Sequence, residues 1–127
     1  MTALTSFAGG SGVVPRVTPE QVWTAVCPVE TVPLGAGVAA LLPDGSQVAV
    51  FRTGDGVFAL SNVDPFSGAA VLSRGIIGDR GGVPVVASPM HKQCFELSTG
   101  QCLDDPEVRV ACYPVRVAAG TVEVGGP

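Results

Sequence analysis

Nearly every apolar run in this chain is short and is closed by glycine or proline. Residues 22–27 run into Pro28, 38–42 into Pro43, 83–87 into Ser88-Pro89, 115–118 into Ala119-Gly120 and 121–124 into Gly125. A helix needs an apolar stripe at a period of 3.6 sustained over three turns, and none of these runs is long enough to hold one. Valine leads the apolar set, and 17 glycines and 11 prolines punctuate it. β-Branched residues cut up by turn formers predict short strands joined by tight turns.

The strands follow from the punctuation. Residues 22–27, which include Trp23 and Cys27, open the set. The Pro33-Leu34-Gly35 turn then precedes 38–42, Asp44-Gly45 marks a hairpin into 47–52, and Gly54-Asp55-Gly56 a second one into 57–60. Strands so closely spaced form an antiparallel meander without a crossover helix. Residues 62–82 break the pattern, with one short apolar stretch at 69–72 and the polar segment Gly78-Asp79-Arg80-Gly81-Gly82, expected to be a loop. Loops this long in a small domain tend to be functional. Strands resume at 83–87, 94–97, 108–112, 115–118 and 121–124. The fold class expected is all-β, a small antiparallel barrel or sandwich. At 127 residues one domain is expected: residues 1–19, rich in Gly, Ser, Thr and Pro, as a mobile tail, and 20–127 as the β domain.

Charge narrows the function classes. Seven Lys and Arg against 11 Asp and Glu give a net charge of −4, with no basic cluster, so the electrostatic footprint of nucleic-acid binding is missing. No run approaches the length of a membrane-spanning helix, and Met1 to Gly12 lacks the basic and apolar regions of a secretory signal. A cytoplasmic protein is expected. The four cysteines, Cys27, Cys94, Cys102 and Cys112, form no C-x-x-C pair and read as reduced thiols acting as small apolar residues. Trp23 reads as a core residue.

Two segments carry the candidate chemistry: Asn62-Val63-Asp64-Pro65-Phe66-Ser67-Gly68, and Ser88-Pro89-Met90-His91-Lys92-Gln93-Cys94-Phe95-Glu96-Leu97-Ser98-Thr99-Gly100. His91 is the single histidine. Zinc on His91, Cys94 and a distant thiol is disfavoured, because strand alternation puts 91 and 94 on opposite faces. Ser88, His91 and Asp64 have the residue types of a hydrolytic triad, but no nucleophile elbow surrounds Ser88 and Pro89 follows it directly. His91 as a solvated or locally bonded loop residue is the plainer reading.

The two segments resemble the cluster-binding loops of Rieske proteins, Cys-x-His-x-Gly and Cys-Pro-x-His followed by Phe-x-Leu and Thr-Gly. Asp64 stands at the first cysteine, Phe66 at the first histidine, Ser88 at the second cysteine and His91 at the second histidine. Gly68, Pro89, Phe95, Leu97, Thr99 and Gly100 keep the framework. A Rieske centre takes two thiolates on one iron and two imidazoles on the other. Phe66 has no donor atom, Ser88 has only a hydroxyl, and the hard oxygens of Asp64 do not replace a thiolate. Some Rieske proteins also tie the loops by a disulfide, where this chain has Ala69 and Met90. The resemblance therefore implies the frame without cluster, metal or catalytic residues.

Within that family the chain is similar to the small subunits of NAD(P)H-dependent nitrite reductases over residues 22–124. The likeness rests on Trp23-x-x-Val26-Cys27, Gln47-Val48-Ala49-Val50-Phe51-Arg52, Asn62-Val63-Asp64-Pro65-Phe66-Ser67, Val71-Leu72-Ser73-Arg74-Gly75-Ile76 and Ser88-Pro89-x-x-Lys92-Gln93. A basic residue is expected in that group where this chain has His91. The resemblance implies a chain with no active site of its own. Its partner would be a large catalytic subunit carrying siroheme, an iron–sulfur cluster, FAD and the NAD(P)H site, which reduces nitrite to ammonia. Phe66, Arg74 and Lys92 are the expected contact residues, with Phe66 either an apolar anchor or turned inward to fill the cluster's space. The competing classes are a Rieske-type ferredoxin and a cluster-free protein-binding module.

Overall fold

The computed structural model describes residues 22–90 and 92–126. The expected tail at 1–19 and His91 lie outside them. Among the described residues ten strands follow in chain order: β1 Val22–Pro28, β2 Ala36–Leu41, β3 Gln47–Thr53, β4 Gly56–Ser61, β5 Ile76–Arg80, β6 Val83–Ala87, β7 Cys94–Glu96, β8 Cys112–Tyr113, β9 Val115–Ala118 and β10 Thr121–Gly126. They form three antiparallel sheets, ordered β1-β10-β9, β2-β3-β4-β8 and β5-β6-β7. The all-β expectation holds.

Strand β3 explains the layering. Val48, Ala49, Val50 and Phe51 are consecutive and all fully buried, so this strand is covered on both faces. Alternation sends Ala49 and Phe51 to one side, where they join Leu60, Leu72, Val86, Phe95, Leu97, Cys102 and Val110. Val48 and Val50 point the other way, to Val32, Leu42, Ala59, Val122 and Val124. The central sheet is thus sandwiched between two cores, one closed by β6 and β7 and the other by β10. Each large side chain so buried contributes about 1.5–3 kcal/mol. Glycines permit the closest approaches. A Cβ at Gly37 would sit 2.7 Å from the Phe51 ring, and one at Gly100, where φ is +80°, would run into the Val110 carbonyl oxygen.

The structure corrects the sequence reading in three places. Gly78-Asp79-Arg80 is not loop but the end of β5, paired with β6 from Ile76↔Ala87 to Arg80↔Val83, with Gly81-Gly82 as the turn. This edge strand faces solvent along most of its length and Ile76 is 77% exposed, so it carries no apolar alternation to read. The expected strand at 108–112 shrinks to Cys112–Tyr113, because 109–111 changes partners: Gln101 bridges Arg109, Val110 N donates to Gly100 O, and Ser61 N donates to Ala111 O. Trp23 is half-buried at the surface under the Arg116 guanidinium, 4.1 Å from its ring centre, and Arg116 in turn pairs with Glu123 at 2.6 Å.

Candidate functional site

The two segments singled out in the sequence meet at one end of the molecule. The first leaves β4 in the central sheet, and the second joins β6 to β7 in a flanking sheet. Buried Asn62 roots the first: its N–H donates to Gln47 O, its carbonyl accepts from Leu72 N, and its Oδ1 accepts from Ser73 N at 2.7 Å. Asp64 N donates to Ala69 O and Gly68 N to Asp64 O, which closes the loop on itself. In the second, Ser88 N donates to Gln93 O and Lys92 N to Ser88 O, both at 2.9 Å, with Lys92 in the left-handed region at φ 64°.

The centre of the site is a pair of polar side chains, both withdrawn from solvent. Asp64 is 0% exposed and Ser88 1%, and the Ser88 hydroxyl donates to Asp64 Oδ2 at 2.5 Å. The sequence reading expects these two where a Rieske protein has its cysteines. The pair presents oxygens bonded to one another and no thiolate, so these residues do not suit a [2Fe–2S] cluster. Phe66, expected from the sequence at a histidine position, lies with its ring centre 6.3 Å from that of buried Phe95, tilted by 45°. It is 37% exposed, with its ring packed towards Phe95 and the rest open to solvent. Arg74 and Lys92 are both exposed.

The geometry bears on the other chemistries. Ser88 and Asp64 do come together, but the hydroxyl is buried and its proton is committed to the carboxylate, so no substrate reaches it as a nucleophile. Among the described residues no group of three or more His, Cys, Asp or Glu is placed to hold a metal ion. The Cys94 amide instead donates to Asp104 Oδ2 at 2.8 Å, and Arg80 reaches Asp104 Oδ1 at 3.0 Å. The Cys94 amide and then Arg80 hold the Asp104 carboxyl below the usual carboxylate range. All four cysteines are free thiols; Cys102 lies in the core, and burial pushes the Cys112 thiol up.

Sequence reasoning missed two residues here. Gln93 Oε1 is a buried side-chain oxygen that finds no hydrogen-bond partner among the described residues. Met90, considered only as a missing disulfide position, is 49% exposed on the second loop. An apolar residue between a loop proline and a loop histidine was the available signal.

Comparison with known proteins agrees with this geometry. Residues 22–125 match the family model described as Rieske-like [2Fe-2S] domain. The nitrite reductase (NADH) small subunit of Salmonella typhimurium is 46% identical over 106 residues, which are 82% of this chain and 97% of that protein. The nitrite reductase [NAD(P)H] large subunit of Klebsiella oxytoca is 46% identical over 107 residues, but the chain spans only 11% of its length. A crystal structure from Mycobacterium tuberculosis, described as an NADH-dependent nitrite reductase small subunit, superposes with a TM-score of 0.82 at 57% identity, covering 84% of this chain and 96% of that one. The chain belongs to the Rieske-like family, within its group of nitrite reductase small subunits.

Proposed function

We propose that this chain is the non-catalytic small subunit of a cytoplasmic NAD(P)H-dependent nitrite reductase, and that it supports the six-electron reduction of nitrite to ammonia by docking on the large subunit. Siroheme, an iron–sulfur cluster, FAD and the NAD(P)H site belong to that partner. The Asp64–Ser88 hydrogen bond is the observation that carries the reading. A pair of oxygens bonded to each other in a dry pocket has nothing to offer an iron–sulfur cluster, so this chain passes no electrons through that site. The Klebsiella large subunit supports the partnership, since a region similar to this chain lies within its own polypeptide. In our reading the β domain expected over residues 20–127 is the docking unit. Phe66, with Arg74 and Lys92, contributes to the contact surface. No helix among the described residues is long and apolar enough to cross a membrane, in keeping with a cytoplasmic place of work.

Extracts of cells lacking this chain test the proposal. NAD(P)H-dependent nitrite reduction should fall, and the purified, colourless chain should restore it. Undiminished activity would overturn the reading. Restoration only by an iron-loaded chain would favour a Rieske-type electron carrier instead.

A further inference from the structure

The side chains of Asp64 and Ser88 hold backbone amides as well as one another. Asp64 Oδ1 accepts the Phe66 amide at 2.8 Å, and Ser88 Oγ accepts the Met90 amide at 3.2 Å. The arrangement is the same on both loops: a buried polar side chain grips the backbone two residues on, and that residue presents a large apolar side chain to solvent, Phe66 at 37% and Met90 at 49% exposure. The cross-loop bond then joins the two grips, although 24 positions separate them in the chain. We infer that the Asp64–Ser88 pair is a positioning clamp, which fixes Phe66 and Met90 relative to each other as the two apolar prongs of a docking surface for the large nitrite reductase subunit. This rests on the function proposed above and adds to it Met90 as a contact residue and a role for the clamp.

Charge selects the occupant. The chain carries −4 overall, yet among the described residues of 62–74 and 88–93 the exposed charges are Arg74 and Lys92, both positive, while the acidic Asp64 is buried. A second copy meeting this surface about a two-fold axis would set like charge against like. The partner that fits has an apolar recess edged by carboxylates. Prongs held in place before contact also lose less freedom on binding than loose loops would.

The test uses the full chain and its large subunit, with affinity, melting temperature and amide NMR read on each variant. Met90→Ser lies at the surface and should leave melting unchanged while weakening binding about tenfold, with Phe66→Ser at least as severe. Ser88→Ala leaves both prongs in place but opens the clamp. It should shift the Phe66 and Met90 amide resonances and weaken binding by a similar factor, and Ser88→Thr, which keeps the hydroxyl, should recover part of the affinity. If wild-type chain does not bind the large subunit at all, the proposed function fails and this inference with it. If wild type binds and Met90→Ser and Ser88→Ala bind equally well, the clamp and its prongs are wrong while the subunit reading stands. A wild-type chain that self-associates through Met90 would also overturn the inference.

Discussion

The Ser88 hydroxyl bonds to Asp64 Oδ2 across two loops, with both side chains withdrawn from solvent. One hydrogen bond thus joins two segments that stand 24 positions apart in the chain. A bond to a buried carboxyl group is worth more than an ordinary one, and breaking it strands the partner. Ser88→Ala should therefore lower unfolding stability by about 1–3 kcal/mol in denaturant titrations. A loss within error would mean that the bond contributes nothing to holding the loops.

Gly100 is a second point of dependence. Its φ of +80° is costly for any other residue, and a Cβ there would collide with the Val110 carbonyl, which stands in the segment where the chain changes partners. Gly100→Ala should cost more than about 3 kcal/mol and leave little folded protein on expression. A melting temperature like wild type would contradict this packing.

Asp104 gives a pH dependence whose sign is fixed. The folded state holds its carboxyl below the usual value of 3.8, through the Cys94 amide first and Arg80 second. A depressed carboxyl stabilises the fold above the unfolded value and loses that contribution as pH falls through the folded one. Stability below pH 3.8 should thus decline less steeply in Asp104→Asn than in wild type. The group is exposed, so the difference will be small and weaker in salt. Parallel acid-denaturation curves would exclude the effect.

Gln93 offers the opposite case, a residue whose replacement should help. Its buried Oε1 has no partner among the described residues, and a desolvated acceptor costs free energy that an apolar chain of similar shape does not. Gln93→Met should raise stability by up to about 1 kcal/mol in thermal melts. Destabilisation would show that the oxygen has a donor, such as a bound water.

Much of this was legible in the sequence. Gly and Pro punctuation reported the strands, and Asp44-Gly45 and Ala119-Gly120 stand at turns, the latter with both residues at positive φ. The two segments singled out by residue type are ones that the structure brings together, at Asp64 and Ser88. What could not be read was edge and partner choice. β5 carries no alternation because solvent covers it, and 108–112 alternates like a strand while dividing its hydrogen bonds among Gly100, Gln101 and Ser61. Trp23 misled because a large aromatic can bury itself under a charged side chain as well as in a core. That Asp64 and Ser88 would bond to each other was also out of reach, since it depends on the meeting of two sheets.

The central claim is that this chain works by docking, without redox chemistry of its own. An affinity pull-down of the tagged chain from its own cells grown on nitrite tests it most directly, with mass spectrometry and a visible spectrum of the eluate. The account predicts a large co-purifying protein with siroheme absorbance, and a colourless small chain once the two are separated. A lone colourless chain, or a lone chain with the colour of a Rieske cluster, would contradict it.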